Sequence, residues 1–198
     1  MTRNLTIIVI LALVLILGGC GCTSYNGLVN VDQSVKNSWS NVETNYQRRT
    51  DLYNSVIKTI EGSANFEKST LKEVIQARAQ ANSIHINVDS LTPENLAKFQ
   101  AAQSQFQGSF SKLMAVAEAY PDIKSTKSFQ DFQTQIEGTE NRINVSRQDF
   151  NATVNTYNLK VKTFPNSIFA GIFHFSEKPY YKADPGSDKA PDVQFNIK

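Results

Sequence analysis

Residues 28–60 read LVNVDQSVKNSWSNVETNYQRRTDLYNSVIKTI. Their large apolar side chains, Leu28, Val31, Val35, Trp39, Val42, Tyr46, Tyr53, Val56 and Ile60, recur every three or four positions, and Arg49 stands where the pattern requires another. A stripe held over this length predicts one helix, roughly 50 Å long at about 1.5 Å per residue and far longer than the usual globular helix. Such a rod buries its stripe only against other long helices, which the rest of the chain has to supply.

Downstream, Gly62-Ser63-Ala64-Asn65 offers a C-cap glycine and then an N-cap, so a turn is expected there. A second, alanine-rich helix is expected over about residues 66–84, on Phe66, Leu71, Val74, Ala77, Ala81 and Ile84. After a polar connector at residues 87–90, Thr92 is a good N-cap, Pro93 suits the first helical position, and Leu91 and Leu96 are spaced as a hydrophobic staple. The third stripe runs Leu96, Phe99, Phe106, Phe110, Leu113, Ala117 and Tyr120, with Gln103 filling one turn and Pro121 ending the helix. A fourth helix is expected from near Ser128, with Asp131 as a capping-box partner. Its stripe is Phe129, Phe132, Ile136, Ile143, Phe150, Val154, Tyr157, Val161 and Phe164, with Thr139 and Arg147 at the two missing steps and Pro165 as the stop. A short alternation at residues 193–197 is the one candidate strand. The fold class is therefore all-α: an elongated antiparallel bundle of about four helices, two long and two shorter, packed like a coiled coil at about +20°.

Upstream, Arg3 precedes an apolar run, residues 5–17, broken only by Thr6 and followed by Gly18-Gly19-Cys20. This reads as an export signal whose small-small-Cys end is similar to the lipobox of bacterial lipoproteins, with Cys20 as the lipidated residue. A retained transmembrane helix over residues 4–21 is the alternative. An ordinary secretory signal is the third reading, weakened because Cys20 and Cys22 make a poor disulfide and no other thiol is present. All three place the body outside the cytoplasm. Residues 23–30 read as a short polar lead from the anchor into the first helix. The expected organisation is a signal or anchor at 1–22, the bundle at 23–165, an aromatic segment at 166–182 and a flexible tail at 183–198.

At 40% hydrophobic composition the 198 residues can bury one core, and the formal charge of +2 gives no electrostatic case for nucleic acid. The two histidines, His85 and His174, are far apart in the chain and both cysteines lie in the anchor, so no metal-ligand set can be assembled by spacing. No nucleophile elbow or phosphate loop occurs. The expectation is no catalytic residue, no cofactor and no metal.

Polar residues interrupt the stripes instead. Arg49, Arg78 and Arg147 stand at or beside stripe positions; Glu118 adjoins Ala117 and Glu140 adjoins Thr139. If these meet inside the bundle they form a guanidinium–carboxylate network that sets register more than it adds stability. If helix 1 rises from the membrane, helix 4 returns, so the aromatic segment lies near the membrane end. Phe169, Ile172, Phe173, Phe175, Tyr180 and Tyr181 are then either a membrane or partner patch or a cap on the bundle's open end.

Several strings carry a resemblance: Tyr25-Asn26 with Leu28-Val29, Trp39, Arg48-Arg49 with Asp51-Leu52, Ala77-Arg78-Ala79, Glu118-Ala119-Tyr120-Pro121, Thr139-Glu140-Asn141 with Ile143, and Tyr157-Asn158. In this order, over residues 25–181, they resemble the LemA family of bacterial envelope proteins. The resemblance implies a membrane-anchored helical bundle facing out of the cytoplasm, with no established enzymatic activity, and a scaffold or accessory role beside an envelope protein partner. It adds Asp51 to the polar network of Arg49, Arg78, Glu118, Glu140 and Arg147. Two departures stand out. The Cys20 arrangement replaces the retained transmembrane helix of many members, and Asn54 occupies the place of a usual proline, which predicts a straighter first helix. Two rival functions remain at this level: a homo-oligomeric structural coiled coil, and an accessory subunit of an envelope hydrolase or peptidase. Arg48 and Asp51, on the outward face of the first helix, are available to partners.

Overall fold

The computed structural model describes residues 2–62, 68–124 and 126–182, without the side chains of residues 2, 3, 5, 13, 16 and 17. The described residues form six α-helices and one 3₁₀ turn, with no strand among them. They are α1 (Thr2–Glu61), α2 (Lys68–Ser83), the turn Val88–Ser90, α3 (Pro93–Ala117), α4 (Pro121–Lys124), α5 (Lys127–Lys162) and α6 (Asn166–Ile172). The expected turn residues 63–66, the tail 183–198 and the candidate strand 193–197 lie outside the described residues.

α1 and α5 lie antiparallel. Tyr53 donates to Glu140 (3.0 Å) toward one end of the pair, and Ser38 and Thr153 share a hydrogen bond (2.7 Å) nearer the other. α2 and α3 form a second antiparallel pair, crossed by the Lys112–Glu73 ion pair at 2.7 Å. α3 rises beside α1 in the same direction, so that Phe99 meets Trp39 and Phe106 meets Tyr53.

Local chemistry accounts for the helix ends. The Thr92 hydroxyl accepts from Asn95 N (3.1 Å), and both staple leucines are buried. Four boundaries differ from expectation, one of them the end of α5 at Lys162, which leaves Phe164, expected as the last residue of its stripe, beyond the helix and 80% exposed. The polar lead over residues 23–30 is helical, so α1 is one rod of 60 residues; it contains no proline, and the Thr23 hydroxyl donates back to the Gly19 and Cys20 carbonyls rather than capping a new helix. α3 stops at Ala117, ahead of Tyr120, and Pro121 opens α4 instead of merely ending α3, as its fixed φ and missing N–H allow. α5 is capped by Thr126, whose hydroxyl accepts from Phe129 N at 3.2 Å, one position ahead of the helix start and two before Ser128.

α1 runs unbroken past Asn54. Its described apolar side chains near the N-terminus, Ile7 to Ile10, Leu11, Val14 and Leu15, are exposed. Among the described residues no helix is long and apolar enough to cross a membrane. Leu5, Leu13, Ile16 and Leu17 of the same run are outside the described side chains.

The core falls into two clusters. The distal one joins Tyr53, Val56 and Ile60 of α1 to Val74 of α2, Phe106, Phe110 and Leu113 of α3, Ile123 of α4 and Phe129 of α5. The proximal one joins Leu28, Val35, Trp39, Val42 and Tyr46 of α1 to Leu96 and Phe99 of α3, Phe150, Val154 and Tyr157 of α5, Ala170 of α6 and Tyr181. Aromatic packing centres each: Tyr53 stacks on Phe110 at 3.4 Å and 9°, while Trp39 meets Phe99 and Phe150 edge-on at 5.4 and 5.3 Å.

Candidate functional site

Arg49 lies between the two clusters and is 1% exposed. A guanidinium cannot discharge when buried, so it must be met by acceptors. Its Nη2 donates to Gln103 Oε1 (2.6 Å) and to the Gln103 carbonyl (3.2 Å), and its Nη1 stands 3.6 Å from Glu140. Tyr46, Tyr53 and Phe106 surround it, with the Tyr46 ring centroid 4.8 Å from the guanidinium carbon. Arg49 Nε is buried without a hydrogen bond. Burial pushes the Tyr53 hydroxyl well above its ordinary pKa, the Glu140 carboxylate adds to the shift, and Arg49 opposes it. The Tyr53 proton therefore stays in place as a donor to Glu140.

Of the six polar residues expected to meet, the structure brings together Arg49 and Glu140. Asp51 is exposed on α1 and accepts from Gln47 at 2.9 Å. Arg78 is half-buried on α2, and Glu118 is exposed at the end of α3, 3.5 Å from Gln133 Nε2. Arg147 lies over the Tyr181 ring at 4.2 Å and donates to the Lys182 carbonyl at 3.2 Å. The reason is rotational: Asp51 and Glu118 each sit off their helix's buried stripe, so the rods carry them outward. Gln103, expected only to fill a turn of the α3 stripe, is the residue that holds Arg49.

Residues 175–182 return along α5 as an extended strap. Asn158 grips both backbone groups of Lys178: its Nδ2 donates to the carbonyl and its Oδ1 accepts from the N–H, each at 2.9 Å. Asn151 does the same to Tyr181, at 2.9 and 2.8 Å. The register is geometric, since seven helical residues and three extended ones both span about 10 Å. Tyr157 donates to the Ser176 carbonyl (2.9 Å), the Tyr46 and Tyr181 hydroxyls share a hydrogen bond, and Lys178 pairs with the half-buried Asp32 at 3.0 Å. Burial and the Asp32 carboxylate together push Tyr157 up to about 12, against the pull of Lys36. Asn151 and Asn158 were no part of the expected site. The signals for them were amide side chains seven residues apart, each beside an α5 stripe residue, and for Asn158 its place in the Tyr157-Asn158 string.

The strap divides the expected aromatic patch. Tyr181 is buried in the proximal cluster and Phe175 packs against it, Phe169 is half-buried against α1, and Ile172, Phe173 and Tyr180 are exposed. Cys20 and Cys22 are free and exposed.

Beside the Arg49 layer runs an open polar groove of about 600 Å³, lined by Glu43, Gln47, Arg48 and Asp51 of α1 with His85 beyond α2. Partial burial lifts the Glu43 carboxyl above its ordinary pKa, opposed by the Trp39 indole and by His85. Trp39 Nε1 is buried without a hydrogen bond of good geometry, and Glu43, one turn on, is the acceptor it approaches. Among the described residues no group of three or more His, Cys, Asp or Glu is placed to hold a metal ion.

Comparison with known proteins gives one consistent answer. The model of the LemA family matches residues 38–195. Magnetosome protein MamQ 2 of Paramagnetospirillum magneticum is 26% identical over 181 residues, covering 83% of this chain and 66% of its own length. Magnetosome protein MamQ of Magnetospirillum gryphiswaldense is 26% identical over 182 residues with the same coverage. Protein LemA of Metamycoplasma hominis is 27% identical over 139 residues, 70% of this chain and 60% of its own. The chain thus spans just under two thirds of the length of the curated relatives it matches.

Proposed function

The chain belongs to the LemA family, and from that premise we propose that it is a non-catalytic, membrane-anchored helical scaffold of the bacterial cell envelope, facing out of the cytoplasm. The observation that carries this reading is the continuity of α1: the apolar run after Arg3 and the helix that organises both core clusters are one rod. Whatever holds the N-terminus therefore holds the body directly. The four longer helices act as one antiparallel bundle, and Arg49, Gln103 and Glu140 serve as its internal register layer rather than as reacting groups. Partner recognition falls to the outward polar face of α1 at Glu43, Arg48 and Asp51. Acylation of exposed Cys20 is the anchor favoured by the Gly18-Gly19-Cys20 end of the run; a retained helix over residues 4–21 is the form it takes otherwise.

Intact mass of the protein recovered from membranes, beside a Cys20→Ala variant, tests the anchor. The expected result is residues 20–198 plus lipid, with the variant uncleaved. A full-length, unmodified mass shows a retained helix instead. Recovery of the full chain from the soluble fraction overturns the anchored reading altogether. A hydrolytic activity lost on Glu140→Gln with the fold intact overturns the non-catalytic one.

A further inference from the structure

α6 is held at one height on α1. Phe169 covers Gly21 so closely that a Cβ there would lie 3.2 Å from its ring, and Tyr25 meets Phe173 and Phe175 at 4.9 and 6.1 Å. Gly21 stands four residues beyond Leu17, about 6 Å past the end of the apolar run. Ala170 alone in α6 is fully buried. Its two isoleucines face solvent: Ile168 is 54% and Ile172 61% exposed, one helical turn apart, with Phe164 before them at 80% and Phe173 after them at 42%.

An exposed apolar cluster of this kind, on one short helix and the residues that flank it, needs an occupant. We propose that α6 is a second membrane foot: Phe164, Ile168, Ile172 and Phe173 enter the lipid interface beside the α1 anchor. The inference rests on the anchored reading above but not on which anchor operates. A retained helix leaves the hydrocarbon near Gly21, and an acylated Cys20 puts lipid one residue from it. Either way α6 lies at the headgroup level, where aromatic and apolar side chains flanked by lysines, here Lys160 and Lys162, are favoured. Continuity with the α1 run at this height is what selects lipid over a second protein. Two contacts, unlike one, fix the tilt and the azimuth of the rod. The groove from Glu43 to Asp51 is then presented about 33 to 45 Å above the foot, on a set side.

The test uses the full chain in phosphatidylcholine–phosphatidylglycerol vesicles, with plain or brominated acyl chains as quencher. The chain has a single tryptophan, Trp39, which lies about 27 Å up α1 from Gly21 and supplies a background beyond the quencher's reach. Ile172→Trp and Ile168→Trp, both at exposed sites, each add emission that brominated lipid should abolish while Trp39 emission stays. Vesicles that float with protein whose added emission survives overturn the foot and leave the anchor intact. If chemical cross-linking of that floated protein gives a dimer, the cluster is covered by a second copy instead. Failure to float with vesicles overturns the anchored reading and the foot with it.

Discussion

The two core clusters are built by different means. In the distal one every wall is a helix: α1, α2, α3 and α5 close around Tyr53, Phe106 and Phe110, and the short α4 covers the end with Ile123. In the proximal one α1, α3 and α5 leave a side open, which Tyr181 and Ala170 close from the C-terminal strap and α6. Helix faces close the first through contacts between side chains. Among the described residues no strand lies beside the strap, and Asn151 and Asn158 bond its backbone at Tyr181 and Lys178, standing in for the ladder a neighbouring strand would offer. Arg49 lies at the join, and its acceptors come from α3 and α5. Displacing either helix along its axis would leave a buried charge unmet, so this layer sets the register of both clusters at once.

Four measurements break or sharpen that contrast. The largest effect is expected at the join. Arg49→Met leaves Gln103 and Glu140 facing an apolar side chain and should cost about 3 kcal/mol, seen as a lower midpoint in denaturant unfolding. An unchanged midpoint would mean the layer contributes only packing volume. Second, Asn158→Ala removes both bonds to Lys178 and should cost about 2 kcal/mol. Hydrogen exchange should then quicken over residues 176–182 while the distal α2–α3 pair keeps its protection. Uniform quickening would show that the two clusters are not separable.

Third comes alkaline pH. The folded state holds the Tyr157 proton more tightly than the unfolded chain does, at about 12 against 10.0, and Tyr53 is shifted in the same direction. Their stabilising contribution is thus complete below pH 10 and is lost as pH rises toward 12. Unfolding midpoints should fall across that window, and Tyr157→Phe should flatten part of the fall. The smallest effect concerns the link from α6 into the strap. His174 has φ 61°, and the flanking bonds, Phe175 N–H to the Ala170 carbonyl and His174 N–H to the Gly171 carbonyl, form a Schellman motif that ordinarily takes glycine. His174→Gly should raise stability by roughly 0.5 kcal/mol, read as a small upward shift in thermal midpoint, the relief of left-handed strain exceeding the added chain entropy.

Much of this was legible beforehand. The stripes named the buried faces of the long helices, Thr92-Pro93 marked the start of α3, and Arg49 was conspicuous as a charge inside an apolar period. The partner of Arg49 was less so. Glu118 and Glu140 were equal candidates, because each adjoins a stripe residue and periodicity says nothing of the offset between two helices. The strap was illegible for a related reason: residues 175–182 have no helical period, and the side chains that hold them lie on another element, 20 to 30 residues earlier. The polar lead at residues 23–30 misread as a break because its buried positions, Ser24 and Leu28, are few, and the neighbours that keep it helical come from α5 and α6.

The sequence by itself determined the four longer helices and the face each buries, and it marked Arg49 as a charge inside an apolar period, because a 3.6-residue period and a cap are local properties of the chain. Only the tertiary structure decided that Glu140 and Gln103 meet that cation, that two asparagines clamp an extended strap, and that α6 rests at Gly21. Those outcomes depend on how far one rod is shifted along another, and that offset is set by the simultaneous packing of residues far apart in the chain.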